Sequence, residues 1–174
     1  MKIGKKMTDA LNEQIREELF SSYLYFAMAA DFESKDWPGV ASWMKVQAQE
    51  EMAHALKFYN WINERGGKVV FKAIDKPQES WESALDLFEA ALTHEQHITQ
   101  CIYNLVKVAR DEGDIATEIF LQWFVTEQVE EEANASEIVE KIKKVQNSQN
   151  GMYMLDKELS VRSAAPSQTD SQSS

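Results

Sequence analysis

Long, uninterrupted helical periodicity is the feature that most constrains this chain. Only three prolines and six glycines occur in 174 residues, and the segments between them carry apolar residues at alternating steps of three and four. That spacing places apolar side chains on one face of an α-helix. The pattern therefore predicts an all-α protein with four long helices, at about residues 9–33, 38–65, 80–110 and 114–147.

The predicted helix ends carry residues that commonly begin or terminate helices. Pro38 stands at the first position of the second helix, where its missing N–H has no helical partner to lose. Residues 66–67, both glycine, end that helix because glycine readily adopts the left-handed backbone of a C-terminal cap. Ser80 is predicted to cap the third helix, with Glu82 in its first turn, and Asp114 to cap the fourth.

The connections between these helices predict the topology. The first and third connections are short, which indicates two helical hairpins. Residues 68–79 have no helical period and are expected to form one long extended crossover between the hairpins. Gly151 is expected to break the pattern before a short extra helix at residues 152–159. We therefore expect a four-helix-bundle domain at residues 1–160 and a disordered Ser/Gln-rich tail at residues 161–174.

The charge balance limits the expected partners. The chain has 29 acidic and 18 basic residues and a net charge of −11, which argues against non-specific nucleic-acid binding. No run approaches the roughly 20 apolar residues of a membrane helix, and the basic N-terminus leads into no apolar signal segment. A cytoplasmic protein without nucleic-acid or membrane partners is expected. Cys101 is the only cysteine, so one chain can form neither a disulfide nor a cysteine-rich metal or iron–sulfur site.

One glutamate interrupts each of the four apolar helix faces. These residues are Glu18, Glu51, Glu95 and Glu131. The first two lie 18 and 15 residues from the first turn at position 36, and the other two each lie 18 residues from the turn at position 113. At about 1.5 Å per residue, the two carboxylates of each hairpin differ in height by about 5 Å or less. Whether the two levels coincide depends on how the hairpins dock.

Four buried carboxylates require compensating charge, because like charges in a low dielectric repel and lose their hydration. The same helix faces supply no Lys or Arg at this level, only His54 and Gln128. Two hard divalent cations fit the charge and the oxygen ligands. Glu51 and His54 are three residues apart, so both can bind one ion, and this mixed set favours iron over structural zinc. A lone glutamate usually lies at the core edge, but four aligned ones favour a metal centre. A non-catalytic bundle with protonated glutamates remains the alternative.

A second acidic layer adjoins the first. Glu50, Glu127 and Glu130 have a spacing that suits either a further metal position or a solvated acidic face. Tyr25 lies seven residues after Glu18 on the same helix face. It is predicted either to give an electron or a hydrogen bond to the centre, or to be a plain core tyrosine.

Other side chains that can bind metals have simpler interpretations. His94 and His97 flank Glu95 but point away from the apolar face, so both are predicted to be surface residues. Met44 and Met52 are predicted to pack against neighbours rather than bind a cofactor.

Several segments resemble the non-haem bacterial and archaeal ferritins, and the likeness covers about residues 7–160. The segments that carry it are LNEQIREELFSSYLY (11–25), QEEMAH (49–54), FLQWFVTEQVEEE (120–132) and LDKEL (155–159). The resemblance implies a ferroxidase centre whose first iron is held by Glu18, Glu51 and His54. The second iron would be held by Glu51, Glu95 and Glu131, with Glu51 bridging. A third iron would use the second acidic layer, Glu50, Glu127 and Glu130.

The same resemblance implies an activity and an assembly. Paired Fe(II) would be oxidised by dioxygen, with Gln128 beside the centre, and Fe(III) would move into a hollow cage of twenty-four subunits as a ferric oxyhydroxide mineral. The short C-terminal helix would lie at the four-fold axes of that cage.

The chain also departs from related families. Bacterioferritin and several oxygenase relatives carry a second Glu-x-x-His on the fourth helix, but here that spacing from Glu131 reaches Asn134. Met52 stands where bacterioferritins use a methionine to bind haem, yet no haem is expected. The chain has no Cys-x-x-Cys segment of the rubredoxin type, so a rubrerythrin is not expected. The alternatives are a bacterioferritin-like or other di-iron carboxylate oxidase or peroxidase without mineral storage, and a DNA-protecting mini-ferritin, whose metal site lies between subunits.

Overall fold

Five α-helices account for most of the part of the chain that the computed structural model describes, residues 2–162. They are α1 (Lys5–Ser34), α2 (Pro38–Glu64), α3 (Ala84–Asp111), α4 (Ile115–Val145) and α5 (Gln149–Leu159). Residues 2–162 contain no strand, so the all-α prediction is confirmed there. No helix in this range is long and apolar enough to cross a membrane. Residues 163–174 of the predicted tail lie outside the described residues.

The helices form two hairpins joined by one crossover, as predicted. α1 packs along α2, and α3 packs along α4. The crossover between α2 and α3 is extended and is held to α1 by Asn12. The Asn12 side-chain amide donates to the Lys68 carbonyl at 3.0 Å and accepts from the Val70 N–H at 2.8 Å. One amide thus fixes the first half of the crossover through both of its polar atoms.

The turn chemistry explains why four of the helix ends lie where predicted. Pro38 begins α2. Gly66 and Gly113 adopt positive φ angles of 67° and 65°, in the left-handed region that glycine tolerates without strain. The Asp114 side chain caps α4 by accepting from the Thr117 N–H at 3.2 Å.

The predicted start of α3 is wrong. The helix is capped by Ser83, whose hydroxyl accepts from the Asp86 N–H at 3.1 Å, and not by Ser80. Asp86, rather than Glu82, is the acid in the first turn. Trp81 explains the difference, because its side chain is buried in the core and its backbone N–H donates to an α1 carboxylate. That packing delays the start of the helix by three further residues.

Two smaller boundary corrections concern the chain ends. α1 begins at Lys5, before the predicted start at residue 9, because the apolar face already continues through the fully buried Met7. Gly151 lies within α5 rather than before it, and Ser148 caps that helix by accepting from the Gly151 N–H at 3.1 Å.

The short helix α5 docks onto the beginning of α2. The Asp156 carboxylate accepts from the Val40 N–H at 2.9 Å, which satisfies a free donor at the α2 N-terminus. Gly39 is required there, because a Cβ at this position would overlap the Asp156 backbone carbonyl.

Two apolar clusters fill the bundle. One includes Met28, Phe32, Met44, Phe88 and Ile142, and lies towards the α1–α2 turn. The other includes Met7, Leu11, Phe58, Ile62, Ile102, Leu121 and Phe124, and lies towards the opposite end. Along every long helix a buried polar segment separates the residues of the two clusters. This polar layer is where the predicted ligands lie.

Candidate metal centre

Each long helix contributes one glutamate to the polar layer, at the position where its apolar face is interrupted. Glu18, Glu51, Glu95 and Glu131 are each 4% exposed or less. None of them reaches solvent at the core edge, which excludes the ordinary role of a lone glutamate on an amphipathic helix. His54 and Gln128, which share the helix faces with these glutamates, are equally buried.

The two hairpins dock with their carboxylates on one level. Gln47 on α2 shows this directly, because its side-chain N–H groups donate to Glu51 at 2.9 Å and to Glu131 on α4 at 2.7 Å. On the other side, the Tyr25 hydroxyl on α1 donates to Glu95 on α3. The four glutamates therefore surround a common centre.

Three of the predicted ligands already converge. One ligand atom each from Glu18, Glu51 and His54 lies within 4.8 Å of the others, as a metal ion requires. His54 Nδ1 is 3.1 Å from Glu51 Oε2. Gln14 donates to one oxygen of Glu18 at 2.8 Å, while the other oxygen, Oε2, is buried without a hydrogen-bond partner within the described part of the chain. A buried, unpartnered carboxylate oxygen beside an imidazole fits a hard divalent cation.

The other two glutamates are held by hydrogen bonds from the protein. Glu95 accepts from Tyr25 through one oxygen and from Gln128 through the other, the latter at 3.2 Å. Glu131 accepts from Gln47. Tyr25 is thus a hydrogen-bond donor to the centre, one of the two functional roles that the sequence left open.

Burial and mutual repulsion control the charges of the centre. Burial, and then the negative charge of Glu51, raise the pKa of Glu18 and of Glu131 to about 8 each. The same two causes, joined by Glu131, raise the pKa of Glu95 well above its usual value. Each of these three carboxyl groups is therefore shifted towards its protonated form when no cation is present.

Glu51 and His54 behave differently because they face each other. Burial opposes both charged forms, but the contact between the two groups outweighs it, lowering the pKa of Glu51 and raising that of His54 to about 10. Of the four glutamates of the centre, Glu51 is thus the one that favours its ionised form, and it is paired with a protonated His54. Incoming divalent cations would replace the protons of this layer.

The second acidic layer is less assembled. Glu50 accepts from the Arg162 guanidinium at 2.5 Å, and Glu127 lies 3.8 Å from His54 Nε2. Burial, and to a smaller extent the nearby Glu130 and Glu50, raise the pKa of Glu127. Glu130 is exposed. The described residues do not bring Glu50, Glu127 and Glu130 together as three ligands of one ion, and their role as a third iron site stays a prediction.

One surface prediction is wrong and another is confirmed. His94 is largely covered, because α1 packs over it. The Ser21 Oγ atom is 2.7 Å from His94 Nε2. The ring centres of Phe20 and Tyr25 each lie 5.9 Å from the centre of the imidazole ring. Burial lowers the pKa of His94 to about 4, so it is neutral at physiological pH. His97 is exposed, as predicted.

The sequence contained a signal for two contributors that were not assigned a role. Gln14 and Gln47 each stand four residues before a buried glutamate, Glu18 and Glu51 respectively, and donate to it along the helix. Four-residue spacing puts donor and acceptor on one helix face. Arg162, which donates to Gln47 Oε1 at 2.7 Å, gave no such signal, because it lies 115 residues away in the chain.

The fold and the buried carboxylates define a four-helix bundle of the ferritin-like class. Residues 8–145 match the family model described as Ferritin-like domain. The chain is 38% identical over 160 residues to a bacterial non-heme ferritin of Staphylococcus aureus, covering 92% of this chain and 96% of the relative. It is 39% identical over 161 residues to that of Staphylococcus saprophyticus, with the same coverage.

Solved structures give the same relationship. A structure of an open pore ferritin from the hyperthermophilic archaeon Archaeoglobus fulgidus superimposes with a TM-score of 0.92 at 46% identity, covering 93% of this chain and all of that one. A ferritin from that organism engineered into a closed form gives a TM-score of 0.93 at 46% identity, covering 94% of this chain and all of that one. The chain belongs to the ferritin family.

Proposed function

We propose that this protein oxidises Fe(II) with dioxygen at the buried centre and stores the Fe(III) as a mineral inside an oligomeric cage. The observation that carries the proposal is the convergence of Glu18, Glu51 and His54 around an unpartnered carboxylate oxygen, with Glu95 and Glu131 on the same level. Iron is the substrate here, so the residues must admit it, hold it in pairs and release it.

Glu51 is suited to bridge two iron ions. Its Oε2 atom faces His54, and its Oε1 atom accepts from Gln47, which also contacts Glu131. The two oxygens therefore point towards the two halves of the centre. We assign the first Fe(II) to Glu18, Glu51 and His54, and the second to Glu51, Glu95 and Glu131.

The electron balance fixes what the site must accomplish. Each Fe(II) gives up one electron, so one pair reduces dioxygen with two protons to hydrogen peroxide, and two pairs reduce it with four protons to two waters. Holding two ions side by side supplies two electrons at once. Tyr25, hydrogen-bonded to Glu95, orients that ligand and is positioned to supply a further electron. Gln128 holds the other oxygen of Glu95 and keeps the carboxylate turned towards the centre.

Storage requires an assembly, and the surface supports self-association. Large apolar side chains are exposed on several faces, among them Tyr23, Phe26, Tyr59, Phe71, Ile115, Ile119, Tyr153 and Met154. Exposed apolar surface of this extent commonly marks protein interfaces. We propose a cage of twenty-four subunits with α5 at its four-fold axes, acting in the cytoplasm. The ferritin names of the relatives support this proposal.

Aerobic iron loading tests the function. Fe(II) in large excess over subunits is added to the apoprotein, and iron and protein are followed together by sedimentation. The proposal predicts that iron stays soluble and sediments with the protein. Glu131→Gln should slow the oxidation, whereas the matched control Glu137→Gln, an exposed α4 acid paired with Lys141, should not. Rapid oxidation with iron precipitating outside the protein would refute storage, and no acceleration over buffer would refute the ferroxidase.

A further inference from the structure

A second convergence of metal-binding side chains lies between α1 and α3, outside the buried centre. His97 Nε2 is 3.2 Å from Glu17 Oε2 and 3.6 Å from Cys101 Sγ, and one ligand atom from each residue lies within 4.8 Å of the others. We propose that Glu17, His97 and Cys101 bind a borderline-soft divalent cation of the zinc class. This site is independent of the proposed oxidation of Fe(II).

The distances between the ligand atoms match those around a tetrahedral ion. With Zn–S about 2.3 Å and Zn–N and Zn–O about 2.0–2.1 Å, tetrahedral angles put sulfur and nitrogen about 3.6 Å apart and nitrogen and oxygen about 3.3 Å apart. The observed separations at His97 are 3.6 Å to Cys101 and 3.2 Å to Glu17. The two separations at His97 therefore already fit an ion, and the ligand atoms of Glu17 and Cys101 lie within 4.8 Å of each other.

Hydrogen bonding satisfies the contacts of His97 only weakly. The same His97 nitrogen faces both the Glu17 carboxylate and the Cys101 sulfur. A ring nitrogen carries either one proton or one lone pair in its plane, so it serves both neighbours only if its N–H is shared between the carboxylate and the sulfur, which is a weak acceptor. An ion placed among the three atoms uses all of them at once.

The local structure fixes the ligands and leaves the site accessible. His97 and Cys101 are four residues apart and therefore share one face of α3. Arg16 donates to Oε1 of Glu17, which leaves Oε2 directed at His97. The His97 side chain is 56% exposed, and Glu17 and Cys101 line an adjacent groove of about 210 Å³. An ion can enter from solvent, and water can complete its fourth position.

The ligand set distinguishes this site from the buried centre. The centre offers carboxylates and one imidazole, which suit iron, whereas this cluster adds a thiol that gives up its proton when it binds a metal as thiolate. Thiolate and imidazole ligands together select metals of the zinc class over hard ions such as magnesium. The single cysteine of the chain is thus placed where a metal can use it, although no cysteine-rich site exists.

Cobalt(II) provides a direct probe, because a cobalt–thiolate bond gives a charge-transfer absorption band in the near ultraviolet. Cys101 is the only cysteine, so such a band can come from nowhere else in the chain. We expect Co(II) titration of the full-length protein, reduced with a phosphine, to produce this band. Zn(II) should bleach it, and Cys101→Ser should abolish it while weaker cobalt bands from the buried centre persist. No band at saturating Co(II) in the folded parent would overturn the proposal.

Two further variants test whether Glu17 and His97 bind the ion together with Cys101, or whether the thiol binds it alone. Loss of even an outer partner of a metal ligand costs about 10- to 100-fold in affinity. His97→Asn and Glu17→Gln should therefore each raise the Co(II) concentration at half-saturation of the band at least about tenfold. Glu137→Gln, which removes the same charge from α4, should leave it unchanged. An unchanged half-saturation in both cluster variants would also overturn the proposal.

Discussion

The two halves of the buried centre stabilise their buried carboxylates in different ways. The histidine side, formed by Glu18, Glu51 and His54, gathers its ligand atoms within 4.8 Å and leaves a buried carboxylate oxygen without a partner. The glutamine side, formed by Glu95 and Glu131, has its carboxylates held by Tyr25, Gln128 and Gln47. Gln14 and Gln47 also donate to the histidine side, but one of its carboxylate oxygens is left for a cation, whereas both oxygens of Glu95 are already hydrogen-bonded.

This difference implies an order of binding. A cation entering the histidine side meets ligand atoms that already converge and one carboxylate oxygen, Glu18 Oε2, that has no hydrogen bond to lose, which favours affinity. A cation entering the glutamine side must share or break the hydrogen bonds that Glu95 and Glu131 already accept. We therefore expect the first Fe(II) to occupy the histidine side. Because Glu51 is a ligand on both sides, binding of this ion should change the affinity for the second.

The largest effect is expected from removing one carboxylate on either side. Because both ions are needed to supply two electrons together, Glu18→Gln and Glu95→Gln should each slow rapid oxidation by about 100-fold or more, beyond the 10- to 100-fold typical of outer partners. Only Glu18→Gln should also abolish tight binding of the first anaerobic Fe(II), which calorimetry measures. Loss of that first step in Glu95→Gln, with its retention in Glu18→Gln, would reverse the assignment of the two sides.

The next largest effect separates the two supporting glutamines. Gln47→Met removes the donor that links Glu51 and Glu131, whereas Gln14→Met, its matched variant on α1, removes a donor to Glu18 alone. We expect Gln47→Met to weaken binding of the second Fe(II) by about 10- to 100-fold. Gln14→Met should act on the first step. Equal effects of both variants on both steps would show that the two sides are not separately organised.

A pH-dependent effect on the stability of the metal-free protein should follow. The folded-state pKa values of Glu18 and Glu131 are raised from 4.5 to about 8, so their contribution to stability is fully present below about pH 4.5 and is lost as pH rises through 8. The pKa of His54 is raised to about 10, so its contribution to stability is likewise lost as the pH rises. Since about 1 kcal/mol shifts the Tm of such a domain by roughly 2–4 °C, a fall of at least about 5 °C is expected between pH 5 and 8.

Thermal unfolding of the apoprotein across this pH range measures the effect. Anaerobic Fe(II) should reduce the loss of Tm, because the ion replaces the protons, and Glu18→Gln should flatten the curve. A Tm that rises between pH 5 and 8 in the apoprotein would contradict the protonation states assigned to the centre.

The smallest effect concerns the second acidic layer. Arg162 pairs with Glu50 and contacts Gln47, so Arg162→Ala should remove a positive charge that competes for the Glu50 carboxylate and raise the affinity for a third ion. A partly exposed ion pair is worth about 1 kcal/mol or less, which limits the change to about fivefold. Anaerobic Fe(II) titration to saturation measures it, with Arg162→Lys as the charge-conserving control. Weaker third-site binding in Arg162→Ala would mean that the arginine supports that site.

The sequence predicted the helices and the buried glutamates because both follow from periodicity. An apolar face with one interruption per helix can be read from spacing alone, and the turns fix the depth of each interruption. The start of α3 could not be read in this way. It depends on Trp81 packing into the core, which is a tertiary contact that overrides the capping preference of Ser80.

Contacts between helices were the second feature that the sequence could not predict. Periodicity shows which face of a helix is buried, but not how far α1 is rotated against α3. His94 was therefore predicted on the surface although α1 covers it, and the approach of Glu17 to His97 and Cys101 could not be foreseen. Arg162 reaches Gln47 from 115 residues away, a separation that no local pattern encodes.

The central claim is that one pair of Fe(II) ions reacts at the buried centre, and stoichiometric loading tests it most directly. Apoprotein is loaded anaerobically with increasing Fe(II) per subunit and mixed with oxygenated buffer, and the amplitude of the fast absorbance change is recorded. We expect the amplitude to rise up to two Fe(II) per subunit and then to stop increasing, and the fast phase to be lost in Glu95→Gln. A fast amplitude that saturates at one Fe(II) per subunit, or that survives unchanged in Glu95→Gln, would contradict it.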